Sequence, residues 1–292
     1  NYVTTMYKEN AIFYKSSDKL IVKAKKNVTN EIKRIAGYFS KDDYKIVPYC
    51  PRCETTLSSH EVAQGYQEDT PDPSVFVKFP LLDEDNTYFI VWTTTPWTLT
   101  ANVALAVNAN ADYVKVDYKG EKYILAKDRL NDVLGDESFT ILETFKGSSL
   151  VGKKYAPPFN FFSVTDNAYF VIEAPFVGLE EGSGIVHIAP AFGAEDMEVS
   201  KTNNLPILIS INTDGTFKDF VTPFKGLFIK DADKLIIENL KNTGLLLKSG
   251  TIKHTYPFCW RCNTPLIYMA KNSWFIKVSS IREELMANNE LI

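Results

Sequence analysis

Two Cys-x-x-Cys pairs constrain this 292-residue chain more than any other feature of its sequence. The pairs are Cys50 with Cys53 and Cys259 with Cys262. The two-residue gap lets both thiolates of a tight turn face one ion, and four thiolates complete a tetrahedral zinc site. The alternative, two disulfides or redox pairs, is less favoured, because a thioredoxin-like site needs one such pair opening a helix. We therefore predict a structural Zn²⁺ with no open coordination position and no direct catalytic role.

The residues around the two pairs repeat one pattern. Residues 48–57 and 257–266 both read Pro-aromatic-Cys-x-Arg-Cys-x-Thr-x-Leu. We interpret them as two copies of one knuckle, related by an approximate twofold and sharing one zinc ion. Residues 54–258 lie between the pairs, so a shared ion brings the two ends of a long segment together. Adjacent ends are typical of an inserted domain, which predicts a compact body joined to a larger host through a zinc-pinned stalk.

Composition and charge limit the classes of function. Hydrophobic residues make up 45% of the chain and charged residues 23%, as in an ordinary globular protein. No apolar run approaches the roughly 18 residues of a transmembrane helix, and the polar start at residues 1–5 is not a signal peptide. We expect a soluble, cytoplasmic monomer with no membrane partner. A net charge of −4 excludes the global positive field of a protein that grips duplex backbone, so any contact with nucleic acid must be local.

From residue 74 onward, the pattern predicts many strands and few short helices. The strands are predicted at residues 74–79, 88–93, 104–107, 113–118, 121–126, 139–145, 169–174, 184–188 and 207–212, and the helices at 31–39, 127–134, 195–203 and 232–242. The dipeptide Lys119-Gly120 predicts a hairpin turn. The expected fold is α+β: a β-barrel-like body at residues 71–249 with short peripheral helices, and a zinc-knuckle stalk at 46–70 and 250–292. Residues 1–45 are expected to be peripheral.

Three consecutive threonines follow an apolar strand. Thr93, Thr94 and Thr95 end a strand that Pro96 cannot continue inside a sheet. Their hydroxyls and the freed backbone amides would gather at the strand terminus, where they can bind a carboxyl ester or a ribose. The alternative is a run that reflects β propensity and ordinary turn chemistry, and composition does not separate the two.

A second segment, residues 181–196, places a histidine and a carboxylate around a strand-to-helix turn. His187 lies in an apolar strand, and Asp196 lies in the first turn of the helix that follows. A lone histidine in such a strand is more often a hydrogen-bonded core residue, and an aspartate there often only complements the helix dipole. Motifs for a serine nucleophile elbow, a phosphate loop, a dinucleotide fingerprint and a zinc protease are absent. An enzyme built on these residues would use an oriented water.

Together, the two segments resemble the editing domain of isoleucyl-tRNA synthetases, the connective polypeptide 1 insertion of a class I aminoacyl-tRNA synthetase. The resemblance rests on residues 92–99, 184–196 and the two knuckles, and it covers about residues 46–292. Thr95 stands where the related valyl and leucyl enzymes carry Arg, which favours the isoleucyl type. Thr100 replaces the family's usual Pro. The adenylation signatures His-Ile-Gly-His and Lys-Met-Ser-Lys-Ser are absent, so we expect a piece of a longer protein that cannot charge tRNA alone.

The resemblance implies hydrolysis of the ester that joins a wrongly attached valine to the 3′ end of isoleucine tRNA. Isoleucine and valine differ by one methylene, worth about 1–3 kcal/mol, and isoleucyl-tRNA synthetase is the standard example of this problem. The implied partners are the 3′ end of tRNA(Ile) carrying valine and the catalytic body of the parent synthetase in the same chain. The alternatives are a tRNA-binding module that hydrolyses nothing, and a zinc-pinned interaction domain unrelated to tRNA.

The resemblance also implies a role for each site residue. Asp196 would hold the α-ammonium of the substrate, and the three threonines would bind the aminoacyl carbonyl and the terminal ribose. His187 belongs to the catalytic set, acting sterically rather than as a base. The other implied residues are Trp92, Trp97 and Tyr256 for the amino-acid pocket, Asn102 for the adenosine, and Cys50, Cys53, Cys259 and Cys262 for zinc.

Overall fold

A computed structural model describes residues 11–16, 19–24, 39–135, 137–164, 167–276 and 278–290, with side chains from residue 44 onward. One compact unit spans Ile46–Ala270, and a second contains the described residues before 46 and after 270. Within the described ranges, no helix is long and apolar enough to cross a membrane. Residues 31–38 of the helix predicted near the N-terminus lie outside the described residues, and Phe39 begins a strand.

Strands dominate the described part of the chain. They are β1 (Ala11–Ser16), β2 (Lys19–Ala24), β3 (Phe39–Cys50), β4 (Thr55–Thr56), β5 (Tyr66–Pro80), β6 (Thr87–Thr93), β7 (Ala104–Val107), β8 (Asp112–Tyr118), β9 (Glu121–Ala126), β10 (Thr140–Lys146), β11 (Phe170–Glu173), β12 (Ile185–Ile188), β13 (Leu246–Pro257) and β14 (Ile267–Ile276). The α-helices are α1 (Ser59–Ala63), α2 (Leu130–Leu134), α3 (Ala194–Asn203), α4 (Ile229–Asn242) and α5 (Arg282–Asn289). Short 3₁₀ helices cover Pro96–Ala101, Lys127–Arg129, Gly147–Leu150 and Val278–Ile281.

The main sheet is mixed and has the strand order β10-β8-β9-β6-β5-β13. Its β6 and β9 run parallel, and the other neighbours are antiparallel. Three smaller sheets have the orders β11-β7-β12, β14-β3-β4 and β1-β2. Mixed sheets with few helices confirm the α+β prediction. Among the described strands, β10 and β13 are the outer strands of the main sheet, so a closed barrel is not confirmed.

Local sequence signals locate most of these elements. The strands predicted at residues 104–107 and 121–126 coincide with β7 and β9. The hairpin turn before β9 has positive φ at Lys119 (55°) and Gly120 (84°), as a type I′ turn requires. The strand predicted at residues 207–212 is wrong. There, only Ile211 forms a bridge, because the chain turns back at Asn212, whose N–H donates to Thr216 O.

The predicted boundaries between stalk and body fall inside two long strands. β5 and β13 pair from Leu246 opposite Val77 to Pro257 opposite Tyr66, so the ladder passes residues 70 and 250 without ending. The division into stalk and body stays a prediction.

The small β11-β7-β12 sheet holds one half of the candidate site in place. All four residues of β7 are buried, and β12 pairs with it so that His187 lies opposite Leu105. Burying a leucine or valine side chain stabilises the fold by about 1.5–3 kcal/mol. The apolar core of this sheet therefore fixes the position of His187, a polar residue that adds little to the stability of the core.

Candidate functional site

The threonines that end β6 form a row of hydroxyl groups. Thr93 Oγ1 accepts a hydrogen bond from the Thr95 N–H (3.1 Å), and the two hydroxyl oxygens lie 3.3 Å apart. Thr95 Oγ1 lies 3.4 Å from Thr98 Oγ1 in the 3₁₀ helix Pro96–Ala101. The row thus continues from the strand end into the helix because Pro96 starts a new element there. Thr94 is half-buried beside it.

His187 joins the end of this row. Its Nε2 lies 3.0 Å from Thr98 Oγ1, and Thr98 donates its single hydroxyl hydrogen to Thr95 O (2.8 Å). Thr98 Oγ1 must therefore accept from the Nε2–H, which leaves Nδ1 as the unprotonated nitrogen. Burial lowers the pKa of His187 to about 4, so the imidazole is neutral at pH 7. The buried Nδ1 has no hydrogen-bond partner among the described residues.

Asp196 provides the carboxylate of the site. It lies in the first turn of α3, and the N–H of Ala189, just after β12, donates to its Oδ2 (2.8 Å). This bond ties the carboxylate to the chain two residues after His187. Burial raises the pKa of Asp196 to about 6, and Glu195 adds to the rise, while the hydrogen bond from Ala189 opposes it. A carboxylate with this environment gains most from a nearby cation, because the cation restores its charged form.

Trp97 links the two halves of the site. The side chain is buried, and its ring meets the ring of Phe192 edge-on with centroids 4.8 Å apart. Phe192 lies two residues before α3, which carries Asp196. The indole Nε1 of Trp97 is buried without a hydrogen-bond partner among the described residues. Trp97 therefore connects the 3₁₀ helix that carries Thr98 with the segment that leads into α3.

Three of the predicted substrate residues lie apart from this cluster. Trp92 faces the opposite side of β6 from Thr93, since side chains alternate along a strand, and it lines a separate cavity of about 280 Å³ with Gly182 and Ile185. Asn102 is 2% exposed; its amide donates to Ala104 O (3.0 Å) and accepts from the Tyr155 hydroxyl (2.7 Å).

Tyr256 is the third of these residues. It lies on β13, its hydroxyl donates to Leu266 O (2.7 Å), and its ring lies under Lys230. The roles predicted for Trp92, Asn102 and Tyr256 stay predictions.

Sequence reasoning missed Thr98, which connects the threonine row to His187. The signal was present, because Thr98 follows Thr95 by three residues across a proline that begins a helix. Residues three apart lie on one side of a 3₁₀ helix.

The four cysteines come together at a second site. Their Sγ atoms all lie within 4.8 Å of one another. The shorter separations, 3.4 Å for Cys50 to Cys262 and 3.5 Å for Cys53 to Cys262, are too long for a disulfide bond of about 2.05 Å. Burial raises the pKa of Cys50 to about 12, so the thiolate form of this residue would need a nearby cation. The donor set fits a tetrahedral thiolate-bound metal ion.

The two knuckles have the same local geometry, as their sequence repeat predicts. The N–H of Leu57 donates to Pro48 O (2.9 Å), and the N–H of Leu266 donates to Pro257 O (3.0 Å). The left-handed residues also correspond: Glu54 has φ of 53° and Asn263 has φ of 57°. The two copies share a small core of cysteine, leucine and valine side chains.

Comparison with known proteins gives one consistent result. Residues 16–292 match the family described as tRNA synthetases class I (I, L, M and V). The isoleucine--tRNA ligase of Clostridium novyi is 48% identical over 249 residues, covering 85% of this chain and 24% of that protein. That of Picrophilus torridus is 50% identical over 250 residues, covering 86% of this chain and 24% of that protein. The chain thus spans about a quarter of the length of these relatives.

A solved structure shares the fold. The crystal structure of GlLeuRS-CP1 has a TM-score of 0.50 to this chain at 14% sequence identity, and the likeness covers 62% of this chain and 99% of that one. At this identity the likeness concerns the fold alone. The family match, in contrast, covers nearly the whole sequence, and this chain therefore belongs to the class I tRNA synthetases of the I, L, M and V group.

Proposed function

We propose that this chain is the editing domain of an isoleucyl-tRNA synthetase and hydrolyses the aminoacyl ester of mischarged valyl-tRNA(Ile). The observations that carry the proposal are the hydroxyl row of Thr93, Thr95 and Thr98, which ends on His187, and the carboxylate of Asp196, which is bound by the N–H of the residue two positions after that histidine. The row offers hydrogen bonds to an ester and a ribose, and the carboxylate offers a partner to an ammonium group. An aminoacyl-tRNA end carries all three.

Asp196 recognises the α-ammonium of the substrate. Its raised pKa, about 6, means that the site without substrate holds a carboxylate at a cost in desolvation. An ammonium group restores the charged form and forms charge-assisted hydrogen bonds with it. An uncharged or acylated amino group lacks this gain, so the site selects esters of free amino acids.

The reaction is an addition of water to the ester carbonyl carbon. The bond between that carbon and the ribose oxygen breaks, the water proton passes to the ribose oxygen, and the products are free valine and tRNA. Thr93 and Thr95 hydroxyls donate to the carbonyl oxygen and hold the ribose, so orientation lowers the barrier. The pKa of His187, about 4, makes its imidazole a weak base, so His187 fixes Thr98 and shapes the pocket rather than accepting the proton.

Size provides the specificity. Trp97 and His187 are buried, and they would bound the pocket for the amino-acid side chain. Isoleucine has one methylene more than valine, and a close-packed wall that cannot move makes this methylene unfavourable by about 1–3 kcal/mol. Valine enters and is released, while isoleucine stays on its tRNA.

The cysteine cluster has a structural role in this proposal. It would hold one Zn²⁺ with four protein ligands, so no coordination position is left for a reactive water. Residues 46–70 and 250–292 would form the stalk toward the aminoacylating body of the parent synthetase. That body is absent from this chain, so contact with the tRNA acceptor arm would be shared with it.

Deacylation of two substrates tests the proposal. The chain is incubated with labelled valyl-tRNA(Ile) and isoleucyl-tRNA(Ile), beside Asp196→Ala and the control Glu198→Ala, which removes an exposed carboxylate from the same helix. We expect release of valine, retention of isoleucine, and a loss of about 10- to 100-fold in Asp196→Ala, as for a lost charge-assisted hydrogen bond. Glu198→Ala should match the unaltered chain.

Two outcomes contradict the proposal. If the chain binds tRNA(Ile) but cleaves neither ester, even when it replaces the corresponding segment of an intact isoleucyl-tRNA synthetase, it is a non-hydrolytic tRNA-binding module. If Asp196→Ala and Glu198→Ala lose the same activity while both stay folded, Asp196 does not recognise the substrate.

A further inference from the structure

We propose that the buried hydroxyl groups of Thr100 and Ser210 are linked so that they position Trp97, and that the site rejects isoleucine because of this link. Both are positioning residues, since they act through Trp97. The link itself concerns hydrogen bonding within this chain. Its effect on selectivity rests on the proposed function, in which Trp97 bounds the pocket for the amino-acid side chain.

Two buried hydroxyl groups meet at the 3₁₀ helix Pro96–Ala101. Thr100 lies in this helix and is 2% exposed, and Ser210 lies between α3 and α4 and is 0% exposed. Their hydroxyl oxygens are 2.9 Å apart, and Thr100 Oγ1 also lies 2.8 Å from Trp97 O. The hydroxyl of Thr100 has one hydrogen, which it shares between these two acceptors. We call the contact between Thr100 Oγ1 and Ser210 Oγ the hydroxyl link.

The backbone around Ser210 is fixed independently of Thr100. The N–H of Lys218 donates to Ser210 O (2.9 Å), and the next residue, Ile211, pairs with Phe217 in an antiparallel bridge. Ile211 and Phe217 are both buried. A hydroxyl buried among such side chains destabilises the fold unless it finds a partner. Thr100 supplies that partner, so Ser210 is a fixed anchor for the 3₁₀ helix.

The 3₁₀ helix is held at two points that belong to different parts of the fold. Thr98 contacts His187 of β12 (3.0 Å), and two residues later Thr100 contacts Ser210. Residues two apart lie on different sides of a helix with three residues per turn. The hydroxyl link therefore limits rotation of the helix about the contact at Thr98.

Trp97 depends on this helix for its position. Its indole Nε1 has no hydrogen-bond partner among the described residues, so the path of the backbone and the packing of the ring on Phe192 locate the side chain. The backbone is located in turn by Thr100, whose hydroxyl bonds to Trp97 O. A displacement of Thr100 therefore reaches the ring of Trp97.

Rejection of isoleucine needs a pocket boundary that does not yield. Isoleucine has one methylene more than valine, and exclusion by size fails when the surrounding atoms can shift to make room for it. Loss of the hydroxyl link should therefore admit isoleucine. It should affect valine less, because valine fits without any displacement of Trp97.

A double-mutant cycle measures the hydroxyl link without any substrate. We compare Thr100→Val, Ser210→Ala and the double variant by denaturant unfolding. The double variant should lose at least about threefold less in the unfolding equilibrium than the product of the two single losses, as for two groups in contact. The control cycle pairs Thr100→Val with Ser200→Ala, which removes a buried hydroxyl that donates to Leu205 O. The control losses should be independent.

The ratio of kcat/KM for valyl-tRNA(Ile) to that for isoleucyl-tRNA(Ile) provides the second readout. Ser210→Ala and Thr100→Val should each lower this ratio at least about fivefold, which is part of the discrimination that one methylene allows. The rate for valine should change less than twofold. Thr100→Ser keeps the hydroxyl and should keep the ratio, as should Ser200→Ala. A loss of stability alone slows both esters equally, so the ratio reports the position of Trp97.

Three results separate the parts of the proposal. Independent losses in the cycle of Thr100→Val and Ser210→Ala overturn the hydroxyl link. Coupled losses with an unchanged ratio in the two folded single variants overturn the positioning role. If the losses are coupled but no version, the unaltered chain included, cleaves either ester, the hydroxyl link stands, and the proposed function fails together with the selectivity that rests on it.

Discussion

At the scale of single residues, the candidate site depends on a close approach at Gly193. The backbone there has φ of −132°, which any residue adopts, so the reason for glycine is space. A Cβ at this position would lie 2.7 Å from Asp196 Cγ and 2.9 Å from Oδ2. The neighbour that must move is the end of a flexible side chain, so the fold tolerates the change while the carboxylate leaves its place.

Gly193→Ala should therefore lower the activity while leaving the stability of the fold nearly unchanged. We expect the melting temperature to change by no more than about 2 °C, as for a mild substitution, and valyl-tRNA(Ile) deacylation to fall about 10-fold because Asp196 loses its bond from Ala189. The matched control is Gly250→Ala, where a Cβ meets nothing within 4 Å. Full activity of Gly193→Ala would mean that the position of Asp196 is not critical.

The raised pKa of Asp196, about 6, predicts the pH dependence of deacylation. Below that pH the carboxyl group is protonated and cannot pair with an ammonium group, so kcat/KM should rise tenfold per pH unit up to about pH 6, level off above it, and fall again where the α-amino group of the substrate loses its proton, at about pH 7.7–8.0 for an ordinary α-amino group. Rates from pH 5 to 8, corrected for spontaneous ester hydrolysis, give the inflection. Asp196→Asn should remove it, and a persistent inflection in that variant would assign the titration to another group.

At the scale of elements, the 3₁₀ helix Pro96–Ala101 follows β6 in the chain and contacts β12 through the hydrogen bond between Thr98 and His187. Thr98→Val keeps the shape of the side chain but leaves the buried Nε2–H of His187 unsatisfied. The expected loss is about 1–3 kcal/mol of unfolding free energy, with a fall in kcat, and Thr98→Ser should restore both because it keeps the hydroxyl. Denaturant unfolding and deacylation measure the two effects; a valine variant as stable as the unaltered chain would show that the His187 bond is not formed.

The elements also show which sequence signals suffice. β7 and β9 were predictable because their apolar runs are bounded by turn residues, and the paired knuckles were predictable because one local motif occurs twice. The long ladder between β5 and β13 was only partly predictable. Residues 66–73 contain Pro71 and Pro73 and mostly polar side chains, so their own β propensity is low. They form a strand because they pair with β13. The role of Thr98 depends on a tertiary contact with His187 of β12, and a pattern in one segment does not contain that contact.

At the scale of the whole molecule, the cysteine cluster joins the two ends of the unit that holds the site. Cys50 and Cys53 precede the main sheet, and Cys259 and Cys262 follow β13, the edge strand that pairs with β5. The small knuckle core buries few apolar side chains, so an ion held by the four cysteines would supply much of its stability. The main sheet has its own core around Ile90, Val114 and Leu125, so we expect it to stay folded without the ion.

Removal of the metal should therefore act locally. We expect one Zn²⁺ per chain by atomic emission, and after chelation the amides of Leu57 and Leu266 should lose protection from hydrogen exchange, while those of β6 and β9 stay protected. Cys53→Ser should reproduce this pattern and lower zinc content. The control Arg52→Ala, an exposed residue between two thiolates, should keep the ion. Equal loss of protection in the knuckle and in the main sheet would instead mean that the thiolate cluster stabilises the whole unit cooperatively, and that the body cannot fold apart from its stalk.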